Sequence, residues 1–104
     1  MSFEALKEGL VIKFSSDGED KFYRFLTVLG VQKLIEIENG LHKGIPPHLE
    51  YLDCHDRFIV LYRREGDEIY LRIAKTLRKA AHKIYRVMLK KHMTNPNSKF
   101  LTLV

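Results

Sequence analysis

The sequence predicts an α+β domain, with a small antiparallel sheet packed by a helical hairpin and a basic carboxy-terminal helix in the order β-α-α-β-β-β-α. Three observations lead there. Apolar runs with strand-type alternation occur at residues 10–14, 57–64 and 69–74. Helical periods occupy the stretch from Ser16 to Leu41 and the stretch after Thr76. Between them, Pro46-Pro47 interrupts any helix, because proline lacks the amide donor and restrains the residue before it. A chain of 104 residues fits one domain, with residues 1–9 as an arm and 95–104 as a carboxy-terminal tail.

Leu10 to Phe14 is rich in strand formers, and Ser15-Ser16-Asp17-Gly18 ends it with turn chemistry. Ser16 and Glu19 have the spacing of a capping box, after which Phe22, Phe25, Leu26 and Leu29 repeat at helical intervals as far as Gly30. Val31, Leu34, Ile35 and Leu41 continue the period, with Gly40 or Gly44 as the stop, so two helices form a hairpin. After the two prolines, His48 to Leu52 alternates as a second strand and Asp53 to Asp56 reads as a polar turn. Arg57 to Arg64 carries Phe58, Val60 and Tyr62 on one face and Ile59 and Leu61 on the other. Glu65-Gly66-Asp67 joins it to the alternating run from Ile69 to Ala74, giving a β-hairpin. Thr76 is the N-cap of a last helix that runs to His92, with Leu77, Ala80, Ala81, Ile84, Val87 and Met88 on its apolar side. Asn95-Pro96-Asn97 ends it, and the tail from Phe100 to Val104 packs as an edge strand, binds a partner or frays.

Composition excludes several classes. Hydrophobic residues make up 45% and charged residues 30%, so the chain has enough apolar material for a core and lacks the composition of disorder. A single cysteine, Cys54, forms no internal disulfide, and no leader pattern or long apolar run appears, which together read as cytoplasmic. No phosphate loop, paired-cysteine metal motif or nucleophile elbow is present. His42, His48, Cys54 and His55 match no established zinc spacing, so no metal or cofactor is expected.

Charge is the more informative property. The net charge is +5, but every residue after Glu68 that ionises strongly is basic: Arg72, Lys75, Arg78, Lys79, Lys83, Arg86, Lys90, Lys91 and Lys99. Such asymmetry points to a polyanion or an acidic protein as partner, the alternative being a solvated face paired with the chain's own carboxylates. With Thr76 as N-cap, Lys75, Arg78 and Lys79 crowd the electropositive end of the last helix, which is the make-up of an anion site. Lys79, Lys83, Arg86 and Lys90 then continue as a stripe at spacings of three and four. His82 and Tyr85 beside it, with Lys75 and Arg72, are the acid, base and cation types of a metal-independent ribonuclease.

The order of elements over residues 10–92 resembles the RelE/ParE-like toxins of bacterial toxin–antitoxin systems. Val11-Ile12-Lys13-Phe14-Ser15 followed by a helix looks like that family's opening strand and helix, Ile45-Pro46-Pro47-His48-Leu49-Glu50-Tyr51-Leu52 looks like the link into its sheet, and Phe58 to Ile73 looks like its central hairpin. In the ribosome-dependent ribonucleases of the group, basic residues and a tyrosine or histidine cut messenger RNA; the gyrase-directed branch lacks such a set. The family's Gly-Asp-Tyr-Arg type of signature is absent, Tyr62-Arg63-Arg64 offering similar groups, and the long last helix is unusual for the family. The resemblance implies Arg64, Lys75, His82 and Tyr85 as catalytic candidates. The charge pattern gives Arg72, Lys75, Arg78, Lys79, Lys83, Arg86 and Lys90 as phosphate contacts. RNA or the ribosome, and an acidic antitoxin, are the implied partners. The other reading is a non-enzymatic module whose basic helix docks an acidic protein.

Overall fold

The structure, a computed structural model, describes residues 2–41 and 43–94. It consists of three helices, α1 (Phe3–Glu38), α2 (Pro47–Glu65) and α3 (Glu68–Thr94), and holds no strand among the described residues. The expected α+β architecture is therefore corrected to a three-helix bundle. The RelE/ParE-like fold goes with it, because the sheet that the resemblance requires is helix here. The expected helix end at Asn95-Pro96-Asn97, the tail from Phe100 to Val104, Lys99 and His42 lie outside the described residues.

Each expected strand is helix because its apolar positions also satisfy the 3.6-residue period. Leu6, Leu10 and Phe14 stand four apart, and Phe14 is buried while Ile12, two residues before it, is exposed. In α2, Tyr51, Phe58 and Leu61 share one buried face, whereas Val60, which a strand would place beside Phe58, faces water. His48 to Leu52 forms the first turns of the same helix, and Asp53 to Asp56 lies on it as well. In α3, Ile73, Leu77, Ala80, Ile84 and Met88 form the buried stripe, and residues 69–74 belong to its opening turns.

The turn signals mark real breaks with different neighbours. Gly18, at φ 80° and ψ 174°, kinks α1 between residues 3–17 and 19–38 where a strand was expected to end. Gly30 stops nothing. It is buried inside α1, where a Cβ would collide with the Ile84 side chain of α3. The expected helical hairpin is thus one helix, which ends after Glu38 in a Schellman arrangement with Gly40 at φ 74°: the Leu41 amide donates to the Glu36 carbonyl at 2.8 Å and the Gly40 amide to that of Ile37 at 3.0 Å. Pro46-Pro47 opens α2, proline at the first helical position losing no hydrogen bond that the helix would make. Gly66, in the left-handed region at φ 76°, caps α2, and the Asp67 carboxylate accepts from the Ile69 amide at 3.1 Å, so Glu65-Gly66-Asp67 joins two helices.

Side-chain contacts give the directions. Arg72 meets Phe14, Lys79 meets Tyr23 and Ile84 meets Gly30, so α1 and α3 advance in parallel. Phe3 packs edge-on against Phe58 at 5.8 Å, and the Tyr51 hydroxyl donates to the Leu26 carbonyl at 2.7 Å, so α2 runs the opposite way. Phe22, Leu26, Leu34, Phe58, Ile73, Leu77, Ile84 and Met88 fill the centre. No helix among the described residues is long and apolar enough to cross a membrane.

Candidate polyanion-binding face

The outer face of α3 is set by its inner one. Burying Ile73, Leu77, Ala80, Ile84 and Met88 turns the opposite side of the helix to water, and the residues there are Arg72, Lys75, Arg78, Lys79, His82, Lys83, Arg86 and Lys90, all exposed. From Arg72 to Lys90 the face is about 27 Å long at ~1.5 Å per residue. Every expected phosphate-contacting residue lies on it.

Its edges are held by neighbours. Along the α1 side, the Arg72 guanidinium lies over the Phe14 ring at 5.1 Å and the Lys79 ammonium over the Tyr23 ring at 4.5 Å. Phe14 and Tyr23 are thus the supporting residues that sequence reasoning missed. Only a helix extended back to Glu68 puts Arg72 in line with Lys79. Along the α2 side, Tyr85 tilts against His48 at 5.2 Å. Arg72, Lys75, Arg78, Lys79, Lys83 and Arg86 make no ion pair with any carboxylate of the described residues; elsewhere, ion pairs join Lys7 to Glu4, Lys13 to Asp17, Lys33 to Glu50, His55 to Asp56, Arg57 to Asp53 and Arg64 to Glu65.

The anion site expected at a helix start is corrected. Helix α3 begins at Glu68, so Lys75, Arg78 and Lys79 sit two turns inside it, where backbone amides are already bonded within the helix. Thr76 is buried, and its hydroxyl donates to the Arg72 carbonyl at 2.8 Å, which makes it an interior helix residue and not a cap. The true amino-terminal end carries Asp67 and Glu68, the charges that a helix dipole favours there. Carboxylates do approach Lys75 and Lys79, but they are Glu19 and Asp20 of α1, which line one shallow cleft with them, and not the residues of the α2–α3 turn.

The catalytic candidates are not gathered into one cleft. Arg64 lies at the end of α2, 3.5 Å from Glu65, while Tyr85 stands about 26 Å further along α3 than Glu68 at ~1.5 Å per residue. Lys75 is about 15 Å below Tyr85 by the same rise. His82 and Tyr85 are one turn apart on an open surface. General acid–base chemistry needs its groups within hydrogen-bond reach of one reacting centre, and these four do not converge.

Other reactive groups are occupied structurally. Burial, with the Asp53 and Glu50 carboxylates nearby, raises the Cys54 thiol pKa and keeps it protonated. Burial pushes the Tyr51 hydroxyl pKa up, in keeping with its role as donor to Leu26. Burial also lowers the pKa of His48, 6% exposed, whose Nδ1 has no hydrogen-bond partner among the described residues. Among the described residues, no group of three metal-ligating side chains comes together. No protein family, curated protein or solved structure matches the chain.

Proposed function

We propose that the protein binds nucleic acid through the phosphate backbone, with the outer face of α3 as the binding surface. The observation that carries this reading is the set of exposed cations from Arg72 to Arg86 without ion pairs to the chain's own carboxylates. Like charges three and four apart weaken a helix by about 0.2–0.5 kcal/mol per pair, and a polyanion reverses the sign of that interaction. A duplex presents one charge per about 1.7 Å of its axis, so a rod of about 27 Å meets more phosphates than it has cations. An acidic protein is the less favoured partner. Protein interfaces centre on apolar and aromatic anchors, and on this face Tyr85 and Leu89 stand only toward one end.

The test is fluorescence anisotropy with labelled single-stranded RNA, duplex RNA and duplex DNA over a range of salt. Each neutralised phosphate contributes about −0.9 to the slope of log K against log salt on duplex DNA and about −0.7 on single strands. The triple variant Arg78→Gln, Lys83→Gln, Arg86→Gln removes three exposed charges, so its slope should be shallower by about two to three. No binding at low salt, or an unchanged slope in the triple variant, overturns the reading. Salt-sensitive capture of an acidic protein with no affinity for any of the three nucleic acids would replace it.

A further inference from the structure

The outer face of α3 is not uniform, and its two sides differ in a way that selects among nucleic acids. Lys75, Lys79, Lys83 and Arg86 stand at spacings of four, four and three along the α1 side. Arg78, His82, Tyr85 and Leu89 stand at spacings of four, three and four along the α2 side. The first row is cationic throughout, whereas the second turns apolar over its last two members. Tyr85 and Leu89 are each 36% exposed. Tyr85 is also braced, its ring tilting against that of buried His48 at 5.2 Å. A ring already held by a neighbour loses little freedom when a ligand lies on it. We propose that the nucleic acid bound here is single-stranded, and that an unpaired base stacks on Tyr85, with Leu89 beside it, while the phosphates follow the cationic row.

The proposal rests on the nucleic-acid reading and narrows it. A duplex keeps its base faces stacked on one another, so it meets Tyr85 and Leu89 with phosphates, sugars or base edges. Pressing a phosphate onto them strips water from the charge and supplies no partner in exchange. A single strand separates the two chemistries, carrying phosphates on one side and base faces on the other. That is the division between the two rows. Arg86 follows Tyr85 in the chain and Lys83 precedes it by two residues, so cations stand near the ring for the phosphates of a stacked nucleotide. The carboxylates of the neighbouring helices leave this end to the ligand. Glu19 and Asp20 of α1 meet the face at Lys75 and Lys79, about 9–15 Å before Tyr85 along the helix at ~1.5 Å per residue. On α2, Glu50, Asp53 and Asp56 are hydrogen-bonded to Lys33, Arg57 and His55. Because every base has a face to stack, the surface selects unpaired strands and not a sequence.

Fluorescence anisotropy of the full chain at a fixed salt concentration tests this. The labelled probes are oligothymidine, oligouridine, an abasic deoxyribose–phosphate strand and a thymidine–adenosine duplex, all of one length. Oligothymidine, oligouridine or both should bind about tenfold tighter than the abasic strand, which keeps every phosphate and lacks the bases, and tighter than the duplex. The tighter of the two shows whether DNA or RNA is the better source of the strand. Tyr85→Leu keeps an apolar cover over His48 and removes the ring. It should weaken binding of the base-bearing strand about tenfold, to the abasic level, with the salt slope kept because no charge is lost. Tyr85→Phe should restore that affinity. An abasic strand bound as tightly as both base-bearing strands overturns the proposal, and so does a duplex bound tighter than either. A Tyr85→Leu variant that keeps its helical circular dichroism and still discriminates fully against the abasic strand overturns it too. In each of those cases phosphate binding by the face still stands, whereas failure of all four probes to bind removes the nucleic-acid reading and this inference with it.

Discussion

Helices α1 and α3 run side by side in parallel and share a wall of the core, yet they show water opposite chemistries. Along α3 the outer face from Arg72 to Lys90 is cationic, and apolar Tyr85 and Leu89 stand only toward one end. Along α1 the outer face centres on Phe25, Val28 and Ile35. The inner faces differ little, because both answer to the same packing. The contrast shows where the information about partners lies: core packing constrains the inner face of a helix, and leaves the outer face free to record what else it meets. Both outer faces carry a cost that the isolated bundle does not require, one in like-charge repulsion and the other in exposed apolar surface.

The largest effect comes from separating the two helices. Gly30 in an exposed helix would be a weakness, since glycine costs about 0.5–1 kcal/mol relative to alanine. Here its missing Cβ lets α3 approach: an added methyl would collide with Ile84 and stand 3.6 Å from the Tyr51 ring. Gly30→Val should therefore destabilise by about 3 kcal/mol, the upper part of the range for overpacked cores, as read by urea denaturation. A loss below about 0.5 kcal/mol, the level of an ordinary surface change, would show that α1 is not clamped to α3, and the comparison between their outer faces would lose its common frame.

The same residues explain what the sequence revealed. The breaks were legible: Pro46-Pro47, Gly66, Gly40 and the polar run ending at Gly18 all separate or bend elements. The basic side of the last helix was legible also, because its apolar residues from Leu77 to Met88 follow one period for three turns. The type of the other elements was not. In a run such as Phe58-Ile59-Val60-Leu61-Tyr62, consecutive apolar residues satisfy a strand covered on both sides as well as a buried helix, and β-branched residues tilt the choice toward the strand. Only the wider spacing of Tyr51, Phe58 and Leu61, which crosses the supposed turn at residues 53–56, decides for helix. Reading Ile69 to Ala74 as strand then moved the helix start to Thr76 and made an anion site from residues that lie mid-helix. The stripe survived that error because it depends on periodicity, whereas the site depended on a boundary.

A smaller effect, of opposite sign in two measurements, sharpens the contrast. Lys83 stands four residues from Lys79 and three from Arg86, with no acidic residue between them. Lys83→Glu turns two repulsive neighbours into attractive ones, so stability should rise by about 0.5–1 kcal/mol while nucleic-acid affinity falls. A loss of both would mean that the lysine stem packs on the bundle and that the face is partly structural.

The last effect is nil at neutral pH and appears only on acidification. His48 is buried at the start of α2 under Tyr85, its Nδ1 lacks a hydrogen-bond partner among the described residues, and the positive end of the helix dipole further disfavours a proton there. Burial holds its folded pKa below the ordinary 6.5, so above that pH the ring is neutral in folded and unfolded chains alike and costs nothing. As pH falls through 6.5 the unfolded chain takes up a proton that the folded chain refuses, and stability declines until the pH is below the folded pKa. The melting temperature should therefore drop on the acid side in the wild type and drop less in His48→Gln, whatever that variant does to the level at pH 8. Equal slopes would place the acid sensitivity elsewhere, and Tyr85, the aromatic edge of the cationic face, would then rest on a neighbour indifferent to pH. Helix α1 carries no histidine, so an acid response of this origin belongs to the α2–α3 side of the bundle.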